Sequence, residues 1–228
     1  MHPSLIHSLP HKRKKNKYCA NHGAKGVSYV TSEKTSVHDI DVLRVWPGNG
    51  CPVEGNWKTP SVIAYQSENK SKNRDHWGYE FRPNMVSCSW TKLLLDTSAE
   101  TAAFDDPSLR DAAGSAGFFH LPPGKTASQV CQDYLAHVYH FVVNNLKSRM
   151  TAAVFDITPM ECYITMPAIW TDKAQTATRE AAMAAGFGSR PFDTVHMITE
   201  PEAAAIAALQ HDLQPGSINA AKVREPES

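Results

Sequence analysis

Glu200 stands where an apolar run, Val195-His196-Met197-Ile198-Thr199, gives way to a helix-forming segment that begins at Pro201. A carboxylate at such a junction can hold a hydrated magnesium ion or orient an attacking water. It would equally complement the positive end of the following helix, a stabilisation of under about 1 kcal/mol. Position alone leaves both roles open. Lys92, in Ser89-Trp90-Thr91-Lys92-Leu93-Leu94-Leu95-Asp96, is a cation beside apolar residues. It can reach a phosphate, or lay its stem along the surface with the ammonium in water, and the second is the default. The Gly124-Lys125-Thr126 triplet is not a Walker A loop. That loop needs Gly, four intervening residues and then Gly-Lys-Ser/Thr, whereas Phe119 fills the first Gly's place here and two prolines precede Gly124.

No G-x-S-x-G, H-E-x-x-H, G-x-G-x-x-G or C-x-x-C occurs in the 228 residues. The hydrolase elbow, the zincin helix, the dinucleotide turn and the paired thiol are therefore set aside. Cys19, Cys51, Cys88, Cys131 and Cys162 are odd in number and widely spaced, the usage of a reducing compartment, and no histidine stands at zinc-ligand spacing from them. His2, His7, His11 and His22 fall in the first 25 residues, where exposure or weak adventitious metal binding is the expectation. Lys plus Arg and Asp plus Glu each number 23, so no net field recruits nucleic acid or an anionic membrane, and neither partner is expected. No apolar run approaches the roughly 20 residues that cross a bilayer, and residues 1–10 have too weak an apolar centre for a signal peptide. The expected compartment is the cytoplasm. Lys12-Arg13-Lys14-Lys15 with Lys17 could serve as a nuclear address, against a solvated tail as the default. Asn69-Lys70-Ser71 matches a glycosylation acceptor, read as a chance match.

The elements that position these residues are legible from periodicity. With 42% hydrophobic residues the chain can bury a core. Residues 1–25 lack periodicity and are expected to be a disordered basic arm. Strands are predicted over 26–30 and 40–46, paired as a hairpin before Pro47-Gly48, and again over 61–65 and 77–81, with a polar surface loop across 66–75. Thr126-Ala127-Ser128-Gln129 fits a capping box, and Val130, Tyr134, Val138, Phe141 and Val142 then share one helical face up to residue 150. That stripe reads as core, as do the scattered Trp and Tyr residues, since no basic face accompanies them. The last third alternates: a strand over 162–168, a helix over 172–185 closed by Gly186, a strand over 195–199 and a helix from Pro201. Such alternation implies a mainly parallel sheet with right-handed crossovers. Reactive groups gather at the carboxyl ends of its strands, where Met166-Pro167 and Thr199-Glu200 stand.

Tyr163-Ile164-Thr165-Met166-Pro167-Ala168-Ile169-Trp170-Thr171-Asp172, Ala177-Thr178-Arg179-Glu180-Ala181-Ala182, Ala185-Gly186-Phe187 and Ile198-Thr199-Glu200-Pro201-Glu202-Ala203-Ala204-Ala205 together resemble the heat shock protein 70 family. Arg44-Val45-Trp46-Pro47-Gly48, Thr59-Pro60-Ser61-Val62-Ile63-Ala64-Tyr65, Trp77-Gly78-Tyr79-Glu80 and Lys92-Leu93-Leu94-Leu95-Asp96 look like its divergent fungal members, so the resemblance spans about 26–210. It implies an α/β chain with the actin-like ATPase (ribonuclease H-like) fold, first lobe only and incomplete at both ends. Residues 26–60 and 126–211 would form the core subdomain, 61–125 a mostly inserted subdomain, and 212–228 a disordered tail. By the same resemblance ATP or ADP and Mg2+ are the cofactors. Glu200 organises the magnesium and its water, Lys92 positions the attacking water near the γ-phosphate, and Pro167 relays nucleotide state.

The departures are specific. The family's D-x-G-T-T loop precedes the first strand of the match, where this chain has Cys19-Ala20-Asn21-His22-Gly23-Ala24-Lys25, and D-x-G-G-G-T is also missing. The proline's arginine partner in the family is matched by Gln175. The expected function is a truncated heat shock protein 70-like, ATP-binding chaperone ATPase domain that does not hydrolyse ATP alone. The alternative is a non-catalytic protein-interaction module derived from that lobe, with co-chaperones or a missing second lobe as partners. A sugar kinase of the same fold is disfavoured by the Glu-Pro-Glu-Ala-Ala-Ala segment.

Overall fold

The computed structural model describes residues 5–6, 24–31, 39–49, 56–89, 95 and 120–212. The chain is a mixed α/β protein. Its strands are β1 (Leu5–Ile6), β2 (Ala24–Lys25), β3 (Ser28–Tyr29), β4 (Asp41–Val42), β5 (Thr59–Pro60), β6 (Val62–Ala64), β7 (His76–Trp77), β8 (Cys88–Ser89), β9 (Glu161–Met166) and β10 (Thr194–Thr199). The helices are α1 (Ala127–Arg149), α2 (Ala152–Ile157), α3 (Asp172–Ala184) and α4 (Glu200–Asp212).

The main sheet has five strands in the order β10-β9-β1-β3-β4. Strands β10, β9 and β1 run parallel, while β3 pairs antiparallel with both β1 and β4. A three-stranded antiparallel sheet, β7-β6-β8, and the pair β2-β5 complete the strands described. The expected hairpin is the β3-β4 pair. Leu5 and Ile6 depart from the expected arm: they lie between β3 and β9, at the centre of the sheet. Two apolar residues between polar neighbours are too short a run for periodicity to register.

Helix α1 forms because its first turn is closed reciprocally. Thr126 Oγ1 accepts from the Gln129 N–H at 3.2 Å and Gln129 Oε1 accepts from the Thr126 N–H at 2.8 Å, which satisfies donors that would otherwise lack partners. Its buried stripe, Cys131, Tyr134, Leu135, Val138, Tyr139, Val142 and Leu146, packs on Val27, Tyr29, Leu43 and Trp46 from the hairpin side, while Val130 joins Ile63, Tyr65 and Cys88 in a smaller cluster. Cys162 and Ile164 of β9 and Ala181 and Ala182 of α3 close the same core. Small residues on α3 let the two helices approach closely. Phe141, on the edge of the stripe, stacks on Trp46 with ring centroids 5.4 Å apart.

Helix α3 ends as the sequence indicates. Gly186 has φ of +114°, its N–H donates to the Met183 carbonyl, and the Phe187 N–H reaches back to the Ala182 carbonyl, the paired closure that favours glycine at this place. The strand expected over 77–81 is cut short. At Gly78, φ is +57° and the chain turns into a single 3-10 turn, Gly78–Glu80. A Cβ there would run into Thr59 Oγ1, so close approach to β5 decides this bend. Asn69 in the loop over 66–75 is 9% exposed and hydrogen-bonds the Tyr65 and Val86 backbones. A glycosylation acceptor held this way is not presented to an enzyme. Among the described residues Cys88, Cys131 and Cys162 are buried and form no disulfide, and no helix is long and apolar enough to cross a membrane.

Candidate functional site at the carboxyl ends of β9 and β10

Strands β9 and β10 pair over six residues in parallel, from Thr194 opposite Glu161 to Thr199 opposite Met166. Pro167 and Glu200 each follow the last paired residue, so they stand side by side where the strands end, about one strand spacing of 4.8 Å apart in backbone position. Both are half-buried. This is the edge of a parallel sheet at which ligands ordinarily bind.

Glu200 is the first residue of α4, and Thr199 caps that helix. Thr199 Oγ1 accepts from the Glu202 N–H at 3.3 Å, and Glu202 Oε2 accepts from the Thr199 N–H at 2.9 Å and from its hydroxyl at 2.8 Å. These donors hold the Glu202 carboxyl below its ordinary pKa. The capping role thus falls to Glu202. The T-x-x-E spacing of Thr199 and Glu202 is a capping-box signature that the sequence reading passed over.

The electrostatic neighbour of Glu200 comes from a distant segment. Lys58, immediately before β5, is half-buried, and burial lowers its pKa while the Glu200 carboxylate acts in the opposite direction. Its backbone is pinned: the Tyr79 hydroxyl donates to the Lys58 carbonyl at 2.8 Å and the Tyr134 hydroxyl to the Pro60 carbonyl at 3.1 Å. A carboxylate with a partly desolvated ammonium at a sheet edge offers one group to a cation's water shell and one to an anion. No spacing rule in the sequence marks Lys58, since its relation to Glu200 exists only after folding.

Pro167 leads into a short turn. Its carbonyl accepts the Trp170 N–H at 3.4 Å, and the Trp170 carbonyl accepts from Gln175 Nε2 at 3.1 Å. Trp170 is buried with Met166 and Ala174. Gln175 therefore touches the Pro167 turn through one intervening residue. Lys92 lies outside the described residues. Lys125, in the rejected G-K-T triplet, is committed elsewhere: its Nζ donates to Asp133 Oδ2 at 2.6 Å and sits 4.8 Å from the centre of the Tyr65 ring.

The structure thus places Pro167 and Glu200 at one end of the sheet, with Lys58 within electrostatic reach of Glu200. An open groove along β10, lined by Tyr163, His196, Met197, Ile198, Glu202 and Ile206 among others, runs beside α4 and does not include Glu200 in its lining. No protein-family model matches the chain, and no curated protein matches it significantly.

Proposed function

We propose that this chain supplies the first lobe of a heat shock protein 70-type nucleotide-binding domain with the actin-like ATPase fold. In this reading Glu200 organises a magnesium ion and its water beside ATP or ADP, Lys92 positions the attacking water, and Pro167 passes the nucleotide state onward. The observation that carries it is the side-by-side placement of Pro167 and Glu200 at the carboxyl ends of adjoining parallel strands, where a nucleotide site in an α/β sheet belongs. The capping of α4 by Glu202 supports a role for Glu200 other than helix capping.

Phosphoryl transfer depends on donors and metal placed around the phosphates. The 228 residues contain neither D-x-G-T-T nor D-x-G-G-G-T, so their own magnesium-dependent ATP turnover is expected to be negligible. Two measurements test the assignment. A steady-state ATPase rate that depends on magnesium and falls on Glu200→Gln would show that these residues suffice for turnover. Mn2+ with ADP, standing in for the magnesium complex, should broaden amide resonances around residues 199–203 in the native chain and leave them sharp in Glu200→Gln. Broadening that ignores the substitution would remove Glu200 from the site.

A second reading, the non-catalytic interaction module, is favoured by exposed apolar side chains. Ile169 is 91%, Phe192 87% and Ile157 83% exposed, and on α4 Ala203 is buried while residues 204–208 are exposed. Exposed apolar side chains of this kind are available for docking to a partner, here a co-chaperone or a second lobe. Sedimentation that finds a stable monomer at all concentrations would count against it.

A further inference from the structure

The antiparallel sheet β7-β6-β8 carries a cluster that the nucleotide reading does not use. Glu68 lies in the turn after β6, Cys88 opens β8, and His120 precedes α1. One ligand atom from each, a Glu68 carboxylate oxygen, Cys88 Sγ and a His120 ring nitrogen, all lie within 4.8 Å of one another. His120 Nε2 stands 2.6 Å from Glu68 Oε1. The other carboxylate oxygen, Glu68 Oε2, is buried with no hydrogen-bond partner among the described residues. An orphaned buried carboxylate oxygen costs stability unless something satisfies it.

We propose that Glu68, Cys88 and His120 bind a single divalent cation of the zinc class. Thiolate, imidazole and carboxylate are the donor set of a borderline-soft ion, with a water left for the fourth position. Magnesium and calcium, which want oxygen donors alone, do not fit it.

The framework around the cluster is fixed before any ion arrives. Asn69, next to Glu68, donates from Nδ2 to the Val86 carbonyl at 2.8 Å and accepts the Val86 N–H at 2.9 Å, which ties the Glu68 turn to the strand bearing Cys88. Cys88 is fully buried in a small apolar cluster with Ile63, Tyr65 and Val130, against which Leu121 packs beside His120. The Glu68 and His120 side chains are 14% and 24% exposed, so an ion and its water have an approach from that side. Bond lengths of about 2.0 to 2.3 Å set tetrahedral ligand atoms roughly 3.3 to 3.6 Å apart. Loading therefore opens the His120–Glu68 contact and draws the more distant donors together by about an ångström, within the reach of side-chain rotation.

The charges and protons balance. Burial and the Glu68 charge push the Cys88 thiol up to about 12, with Lys125 acting the other way, so the unloaded thiol is protonated. On binding, the S–H bond breaks, its proton goes to solvent, and sulfur bonds the metal. Thiolate and Glu68 carboxylate then neutralise the two positive charges, while His120 binds as neutral imidazole. The cluster was invisible to cysteine spacing because its members come from three separate segments.

The test uses the full 228-residue chain, stripped with chelator and kept reduced by a phosphine. Titration with Co2+ should give one equivalent of binding with a thiolate-to-cobalt charge-transfer band in the near ultraviolet, and Zn2+ should displace it. Cys88→Ser should lose that band. His120→Gln, on the more exposed ligand, should keep the native far-ultraviolet circular dichroism and weaken Zn2+ binding by more than about tenfold, since loss of even an outer-shell partner costs about that much. Cobalt bound without a charge-transfer band, as at His2, His7, His11 or His22, would overturn the proposal. So would a band that survives Cys88→Ser, or Zn2+ affinity unchanged by His120→Gln. None of these results bears on nucleotide binding, so the two proposals stand or fall separately.

Discussion

The stretch from α1 to α4 and the stretch from β2 to β8 are held together by different means. In the first, β9 and β10 each run six residues and lie in register along their whole length, and α1 and α3 pack through buried small and aliphatic residues. In the second, strands are two or three residues long. Backbone ladders this short contribute little. Side chains supply the cohesion instead: Trp46 and Trp77 meet edge to face at 6.4 Å, Trp77 meets Tyr134 at 6.1 Å, and Tyr79, Tyr134 and Asn69 hydrogen-bond the backbone of neighbouring segments. Where ladders are long, local pattern specifies structure. Where they are short, a few large side chains do, and each carries more of the stability.

The strongest way to break this contrast is Trp46→Ala. Trp46 is 2% exposed, stacks on Phe141 and donates from its indole nitrogen to the Asn56 carbonyl at 3.0 Å. Its loss should cost about 3 to 5 kcal/mol in urea unfolding. Hydrogen exchange should quicken in β6 and β7 more than in β9 and β10. Equal loss of protection in both regions would mean that they unfold as one unit.

Gly186→Ala probes the other region. A Cβ at this position would meet the Tyr139 ring at 2.7 Å, and the φ of +114° is one that alanine disfavours. The expected cost is about 1 to 3 kcal/mol, read as a lower urea midpoint with an unchanged slope. A neutral result would show that the end of α3 yields more than the rest of its region.

The smallest effect is a pH dependence at the junction of the two. His137, on α1, stacks against Trp77 with centroids 5.8 Å apart, and burial lowers its pKa, partly offset by Asp75, Glu80 and Asp133. A histidine depressed in the folded state stabilises most above its unfolded pKa of about 6.5 and loses that contribution as pH falls through this value toward the folded one. Stability of the native chain should therefore decline below about pH 6.5, and His137→Phe should flatten that part of the profile. Identical profiles for both proteins would remove His137 from the account.

The same contrast governs what the sequence made legible. Helix α1 is predicted from Thr126 to residue 150 and observed as Ala127–Arg149 with Thr126 as its cap, and α3 and β10 fall within a residue of expectation at each end. Their signals are local: a cap, a periodic stripe, a closing glycine. The bend at Gly78 was missed because Thr59, which forces it, lies far away in the chain. Leu5 and Ile6 were missed because their partners, Tyr163 and Ile164, are farther still. Of the candidate site, Glu200 and Pro167 were found from strand ends, while Lys58 came into view only through the electrostatic influence of Glu200 on it in the folded chain.

The position of β1 has a kinetic consequence. The strand pairs residue 5 with residue 163 on one side and with residue 28 on the other, so the middle of the main sheet joins segments from nearly opposite ends of the described chain. During synthesis β1 leaves the ribosome long before its parallel partner β9 exists. The central seam is therefore closed late, and pairings of such long sequence separation are slow. Until that moment β9 presents a bare edge of backbone donors and acceptors, the kind of surface that a chaperone shields or another strand captures.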